Sequence, residues 1–163
     1  PATNRGILDD LDWDRNYSFF ATFGGGNIKS QAYLKSRRKG IPTGPWEVDF
    51  NHFDTETLDE KRHFDLTFDL PVDIDKNIQL RGYLNSYYYL GKYPYDNVSY
   101  LEEAHGTWYG GTAQFQWDLK SSNRLILGLE FQNHITARDA SFDLFETYFD
   151  GNFPYHVLSF YVR

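Results

Sequence analysis

The amino-acid sequence predicts an all-β fold, an antiparallel up-and-down meander of about seven strands. Three observations support this prediction. Apolar and polar residues alternate strictly in several segments, turn residues separate these segments, and 19% of the 163 residues are aromatic. The aromatic content is not that of a disordered chain. The net charge of −7 argues against a nucleic-acid partner.

The alternation divides each predicted strand into an apolar and a polar face, because successive residues of a strand point in opposite directions. The strongest segments are residues 63–70, 112–119 and 125–132, and the weaker ones are residues 17–24, 28–37, 78–89 and 156–163. The predicted apolar face carries Phe64, Leu66, Phe68, Phe115, Trp117, Leu127 and Leu129. The predicted polar face carries Lys29, Gln31, Lys35, Asp65, Asp69, Gln79, Arg81, Gln114, Gln116 and Glu130.

The connections between these strands are predicted to alternate between short and long. Short turns fall at residues 24–27, 71–77 and 120–123, where glycine, asparagine, aspartate and serine favour chain reversal. Long loops are predicted at residues 38–62, 91–106 and 136–154, all on one edge of the sheet. A helical turn within residues 139–150 is an alternative for the third loop, because Phe142, Phe145 and Phe149 recur at helical spacing.

The apolar face of such a sheet can meet either a second sheet or membrane lipid. Long loops on one edge, and two strands that reach the roughly 9–11 residues needed to span a bilayer, favour lipid. Aromatic residues also lie near both strand ends, as in membrane-interface girdles. They are residues 87–89, Trp108 and Tyr109 near the long loops, and Phe68 and Trp117 near the short turns. The sequence therefore predicts part of a transmembrane β-barrel with short periplasmic turns and long extracellular loops.

Several segments resemble, in order, the middle of TonB-dependent outer-membrane receptors. They are residues 37–45, 55–62, 78–89, 93–96, 107–111, 127–131 and 158–163. The family folds as a 22-stranded barrel with a plugged lumen. The resemblance implies that residues 1–163 are a single internal segment of the barrel domain, with no counterpart of the plug domain.

The resemblance also implies a function and a location. Receptors of this family actively take up a scarce nutrient, such as an iron chelate in siderophore uptake or cobalamin, across the outer membrane of a Gram-negative bacterium. The implied partners are outer-membrane lipid, the remaining barrel strands and plug of the same receptor, and a small nutrient ligand. The plug would also connect the receptor to the inner-membrane energy-coupling complex.

Five residues of the predicted outer loops are candidates for contact with such a ligand: Arg37, Arg38, Trp46, Tyr93 and Tyr95. Arginine side chains suit an anionic chelate, and aromatic rings supply stacking area. The alternative is that these side chains lie at the membrane interface or pack the loops against one another.

The sequence contains no established catalytic or metal-binding motif, so we expect neither an enzyme nor a cofactor. Residues 10–14 begin like a calcium-binding loop, but Arg15 stands where glycine is needed and Ala21 where glutamate is needed. The five histidines show no ligand spacing, and the absence of cysteine excludes cysteine-based zinc sites and disulfides.

A soluble β-sandwich that binds carbohydrate is the main alternative to a membrane barrel. In that case Trp46, Trp108 and Tyr109 would form a flat platform on which a sugar ring stacks.

Overall fold

The structure is a computed structural model in which residues 4–119 and 123–163 are described. These residues form eight strands in one antiparallel sheet. The strands are β1 (Asp14–Gly25), β2 (Ile28–Gly40), β3 (Glu56–Asp73), β4 (Lys76–Tyr95), β5 (Val98–Leu119), β6 (Asn123–Phe142), β7 (Thr147–Asn152) and β8 (Tyr155–Val162). Strands β1 to β6 lie side by side in chain order, and both β7 and β8 pair with β6. The predicted all-β antiparallel meander is therefore confirmed.

Helical structure in the described residues is limited to two short 3-10 turns, Asn4–Gly6 and Pro45–Glu47. The helical turn considered within residues 139–150 is absent, because β6 continues to Phe142 and β7 begins at Thr147. None of the helical segments in this part of the chain is long and apolar enough to cross a membrane.

Two of the predicted short turns are confirmed. Gly26 and Asn27 connect β1 to β2, and Gly26 adopts a φ of 58°, a conformation that glycine reaches without strain. Ile74 and Asp75 connect β3 to β4, inside the predicted segment 71–77. Residues 120–122 of the third predicted turn lie outside the described residues.

The prediction of a long loop at residues 91–106 is wrong. Strand β4 continues to Tyr95 and β5 begins at Val98, so only Asp96 and Asn97 connect them. Both residues have positive φ, 51° and 64°, as a two-residue hairpin turn requires. The prediction failed because this half of the hairpin has tyrosine and charged residues on both faces. The alternation disappears there although the backbone pairing continues.

The other two predicted long loops are shorter than expected. Between β2 and β3 the loop covers residues 41–55, and between β6 and β7 only residues 143–146 remain outside strands. We call the end of the sheet that carries these two connections and the β4–β5 hairpin turn the loop end. The opposite end, with the β1–β2 and β3–β4 turns, is the turn end.

The strand register confirms the predicted division into two faces. The cross-strand row of Phe68, Leu80, Ala113, Leu129 and Phe160 runs over β3, β4, β5, β6 and β8 on one face. The residues predicted to be apolar-facing share this face, and those predicted to be polar-facing share the other. We refer to them as the apolar face and the polar face.

The described residues do not close into a barrel and do not form a second layer. Strand β1 pairs only with β2, and β7 and β8 pair only with β6, so both edges are open within the described part of the chain. The buried apolar side chains of the described residues are few, namely Leu11, Val48, Tyr93, Pro94 and Ala140. These five lie near the loop end, and most of the sheet is accessible from both faces.

Candidate ligand-binding site at the loop end

The loop of residues 41–55 is held against the β4–β5 hairpin by hydrogen bonds. The Asp49 backbone N–H donates to the Pro94 carbonyl at 2.8 Å, and the Asn97 N–H donates to the Asp49 carboxylate at 2.8 Å. At the base of the loop the Ile41 N–H donates to the Thr55 carbonyl at 2.9 Å. The loop and the hairpin therefore form one unit at the loop end.

Four aromatic rings of this unit and the ring of Tyr148 in β7 form one group, which we call the tip cluster: Trp46, Tyr93, Tyr95, Tyr100 and Tyr148. The ring centroids of Trp46 and Tyr93 are 5.5 Å apart in an edge-to-face contact, and Tyr100 lies 6.4 Å from Tyr95 and 5.5 Å from Tyr148. The Tyr95 hydroxyl donates to the Trp46 carbonyl at 3.4 Å. Tyr93 is 6% exposed and supports Trp46, which is 70% exposed and presents its ring to solvent.

A row of tyrosines lies along the polar face of β4 and begins at the tip cluster. Tyr93 shares a hydrogen bond with Tyr89, and the Tyr87 hydroxyl donates to Asp59 at 2.8 Å. Nearer the middle of the strand, the Tyr83 hydroxyl donates to Glu130 at 2.9 Å. These hydroxyls are fixed in position by their partners and can hydrogen-bond a polar ligand that moves along the strand.

The surroundings of the tip cluster are acidic. Residues 41–55, 93–102 and 143–150 contain eight carboxylates and no lysine or arginine: Glu47, Asp49, Asp54, Asp96, Glu102, Asp143, Glu146 and Asp150. Burial raises the pKa of the Tyr95 hydroxyl, and the carboxylates of Glu102 and Glu47 raise it further. Burial likewise raises the pKa of Tyr93. Tyr93 and Tyr95 therefore stay protonated and neutral at neutral pH, beside negative charge.

The structure brings three of the five sequence-derived candidates together and separates the other two from them. Trp46, Tyr93 and Tyr95 belong to the tip cluster, whereas Arg37 and Arg38 lie on opposite faces of β2. Arg37 forms an ion pair with Asp14, with an N–O distance of 2.6 Å. Arg38 forms a bidentate pair with the buried carboxylate of Glu56.

Glu56 is the centre of a three-residue charge group, because Lys92 also contacts it at 2.8 Å. Burial alone would raise the pKa of the Glu56 carboxyl, but the hydrogen bonds from Arg38 and Lys92 outweigh burial and lower the pKa. Arg38 therefore forms an ion pair with a buried carboxylate, and its side chain is also exposed to solvent.

Sequence reasoning missed Tyr100 and Tyr148 as members of the tip cluster. Tyr100 pairs with Tyr93 across the β4–β5 hairpin, a contact that follows once Asp96 and Asn97 are recognised as a turn. Tyr148 reaches Tyr100 only because β7 folds back on β6. No local pattern in the sequence indicates that second contact.

The platform proposed for a carbohydrate-binding sandwich is not formed. Trp108 lies on the polar face and Tyr109 on the apolar face, since they are consecutive in β5. Trp46 lies in the tip cluster. Trp108 instead stacks on His134 at 5.3 Å, and His134 stacks on Tyr155 at 4.0 Å.

Within residues 4–119 and 123–163, no group of three or more histidine, aspartate or glutamate side chains is arranged to hold a metal ion. Comparison of the chain with models of protein families, with curated proteins and with solved structures found no match. Any functional assignment therefore depends on the geometry of this chain and on its sequence patterns.

Proposed function

We propose that this chain forms part of the wall and outer extensions of a β-barrel in the outer membrane of a Gram-negative bacterium. The barrel is that of a TonB-dependent receptor that takes up a scarce nutrient. The observation that carries this proposal is a continuous band of exposed and partly exposed apolar side chains across the apolar face. We call this band the apolar belt.

The apolar belt extends over β3, β4, β5, β6 and β8. It comprises Phe64, Leu66, Phe68, Leu70, Ile78, Leu80, Leu84, Phe115, Leu127, Leu129, Phe131, Leu158, Phe160 and Val162. Phe64 is 49% exposed and Phe160 is 76% exposed. Soluble monomers rarely expose apolar patches larger than a few hundred Å². A lipid environment accounts for the belt without a second protein layer.

The height of the apolar belt supports the same proposal. The six residue steps from Phe64 to Leu70 correspond to about 20 Å along the strand. Tyr109 and Trp117 lie on the same face of β5 at the two margins of the belt, about 27 Å apart along the strand, which is about 21 Å of height at the roughly 40° tilt of barrel strands. The apolar band of outer-membrane barrels is about 25 Å high and is bordered by aromatic residues.

The polar face supports a water-filled lumen, because its charged groups are linked into networks across neighbouring strands. Asp65, which is 3% exposed, accepts a hydrogen bond from Arg81 at 2.9 Å and contacts His63 at 2.9 Å. Gln79 donates to Asp69 at 2.8 Å on the same face. Such paired groups are compatible with a polar barrel interior and not with contact to lipid.

In this proposal the two open edges pair with the remaining strands of the same barrel. Unpaired N–H and C=O groups at an edge are unfavourable in a bilayer, where water cannot satisfy them. A plug inside the lumen would connect the receptor to the energy-coupling complex of the inner membrane.

The tip cluster is the proposed point of first contact with the nutrient. It lies beyond the apolar belt at the loop end, and the tyrosines of β4 continue from it along the polar face. Asp150 is ion-paired with Arg138, and the other seven carboxylates favour a neutral or cationic nutrient complex over an anionic chelate. Cobalamin or a cationic iron chelate fits this environment better than the anionic chelate expected from Arg37 and Arg38.

Growth of cells on limiting iron or limiting cobalamin tests this function. We expect Trp46→Ala with Tyr95→Ala to abolish growth on one of these nutrients at low concentration while the protein level in the outer membrane stays unchanged. Phe53→Ala is the matched control, because Phe53 is an exposed aromatic residue of the same loop that stacks on His52 and lies outside the tip cluster. Equal growth of all three strains, or recovery of the protein in the soluble fraction, would contradict the proposal.

A further inference from the structure

The apolar face carries a groove beyond the apolar belt, at the loop end of β1 to β4. Its volume is about 360 Å³, and its apolar lining residues include Leu58 and Leu90. Arg15, Arg38, Lys92 and Glu56 supply its charged lining. A groove lined by apolar and basic side chains suits an amphipathic anion.

This basic groove continues towards the apolar belt. A second depression of about 310 Å³ shares Tyr17 and Ser36 with it and is lined by Phe19 and Leu34. Phe19 and Leu34 pair across β1 and β2 and are 56% and 47% exposed. The end with Phe19 and Leu34 borders the belt and also carries the Glu60–Arg62 ion pair, and the other end is basic.

The charges of the combined groove do not balance internally. Its lining includes four cations on the apolar face, Arg15, Arg38, Arg62 and Lys92, a fifth from the polar face, Lys35, and two carboxylates, Glu56 and Glu60. Glu56 is shared by Arg38 and Lys92, and Glu60 pairs with Arg62 at 3.0 Å. Arg15 and Arg38 both lie over the ring of Trp13, at 5.5 Å and 5.9 Å from its centroid. The ring keeps two guanidinium groups at the basic end, where an anion would bind them.

We propose that this groove binds a phosphate-bearing glycolipid of the membrane, with acyl chains on Phe19 and Leu34 and a phosphate at Arg15 and Arg38. The inference rests on the proposed function, because a membrane lipid reaches the groove only if the apolar belt lies in the bilayer. Four residue steps separate Leu34 from Arg38, about 13 Å along a strand. A phosphate on a saccharide headgroup spans that distance, whereas the phosphate of a simple phospholipid lies next to its acyl chains.

The test uses the protein purified from its membrane in detergent, with binding of purified lipopolysaccharide, phosphatidylglycerol and inorganic phosphate measured separately. Arg15→Gln with Arg38→Gln removes two cations from the groove and leaves Lys92 to pair with Glu56. We expect lipopolysaccharide binding to weaken about 20- to 30-fold, since each basic residue near an anionic lipid contributes about fivefold. Lys39→Gln with Lys61→Gln is the matched control, because it removes two cations from the polar face of β2 and β3 behind the groove and should leave binding unchanged.

The possible results separate the glycolipid inference from the proposed function. A large effect of the groove variant and none of the control supports the inference. Equal effects of both variants, no effect of either, or equally tight binding of inorganic phosphate or phosphatidylglycerol would overturn it and leave the proposed function intact. The proposed function has its own readout in the same preparation: protein that stays monodisperse after detergent removal contradicts it, and the glycolipid inference falls with it.

Discussion

At the scale of single residues, adjacent side chains of this chain have different environments. Phe115 points to the apolar face and Gln116 to the polar face of the same strand. We expect Phe115→Arg and Leu127→Arg to impair assembly in the membrane, because arginine facing the bilayer midplane costs about 2–4 kcal/mol. Gln116→Arg should be tolerated, since its position is polar. Heat-resistant folded protein in isolated outer membranes is the measurement, and equal losses in all three variants would show that the faces are assigned wrongly.

Glu56 gives a second residue-scale prediction, which concerns pH. Its pKa is held below the ordinary value of 4.5 in the folded protein by Arg38 and Lys92, against the effect of burial. A carboxyl with a depressed folded pKa contributes stability that is complete above its unfolded pKa and is lost as the pH falls through the folded value. We therefore expect the loop end to loosen progressively below about pH 4.5.

Amide hydrogen exchange in residues 41–55 as a function of pH measures this loosening. Glu56→Gln should raise exchange at neutral pH and flatten its dependence on pH below 4.5. Glu60→Gln is the control, because Glu60 lies on the same strand and face. The same acid response in wild-type protein and in Glu56→Gln would rule out this carboxyl as its origin.

The residue scale also shows what the sequence can predict of the candidate site. Trp46, Tyr93 and Tyr95 could be identified as ligand-contact candidates because they are aromatic residues in segments rich in proline and acidic residues. The carboxylate partners of Arg37 and Arg38 could not be identified. Asp14 and Glu56 are 23 and 18 residues away from them in the chain, and only the strand register brings them together.

At the scale of secondary-structure elements, the sequence predicts a strand where one face is apolar and the other is polar. Residues 78–89 satisfy this condition and lie within β4. The continuation of β4 to Tyr95 was missed, because polar and aromatic residues occupy both faces beyond the apolar belt. Short β7 was missed for the same reason. The alternation of apolar and polar residues reflects what the two faces of a strand contact. It does not depend on the backbone hydrogen bonds that define the strand.

Packing between strands β4, β5 and β6 gives the element-scale prediction. A Cβ atom on Gly110 would lie 2.5 Å from the Phe131 carbonyl oxygen and 2.5 Å from the Tyr83 hydroxyl, whereas a Cβ atom on Gly82 would meet no atom within 4 Å. We expect Gly110→Ala to lower the free energy of unfolding by about 1–3 kcal/mol, because backbone must move. Gly82→Ala should not lower it. Thermal unfolding in detergent compares the two variants, and equal stabilities would contradict the close packing of β5 on β6.

At the scale of the whole molecule, the sheet has one layer, two open edges and an apolar belt. Seven strands and their faces could be predicted from the sequence, but not the way in which the sheet ends or closes. We expect the purified protein to require detergent, because the belt and the open edges would otherwise associate with other chains. Size-exclusion chromatography with and without detergent is the measurement. A compact monomer in plain buffer would favour the soluble alternative.

The most direct test of the lipid-facing belt uses the absence of cysteine from this chain, which allows a probe to be attached at one site only. Phe115→Cys and Gln116→Cys are labelled separately with a fluorophore in lipid vesicles, and each is exposed to a lipid-soluble and to a water-soluble quencher. The account predicts that the lipid-soluble quencher acts on the probe at position 115 and the water-soluble quencher on the probe at position 116. Quenching of both probes by the water-soluble quencher alone would contradict the central claim that the apolar face lies against lipid.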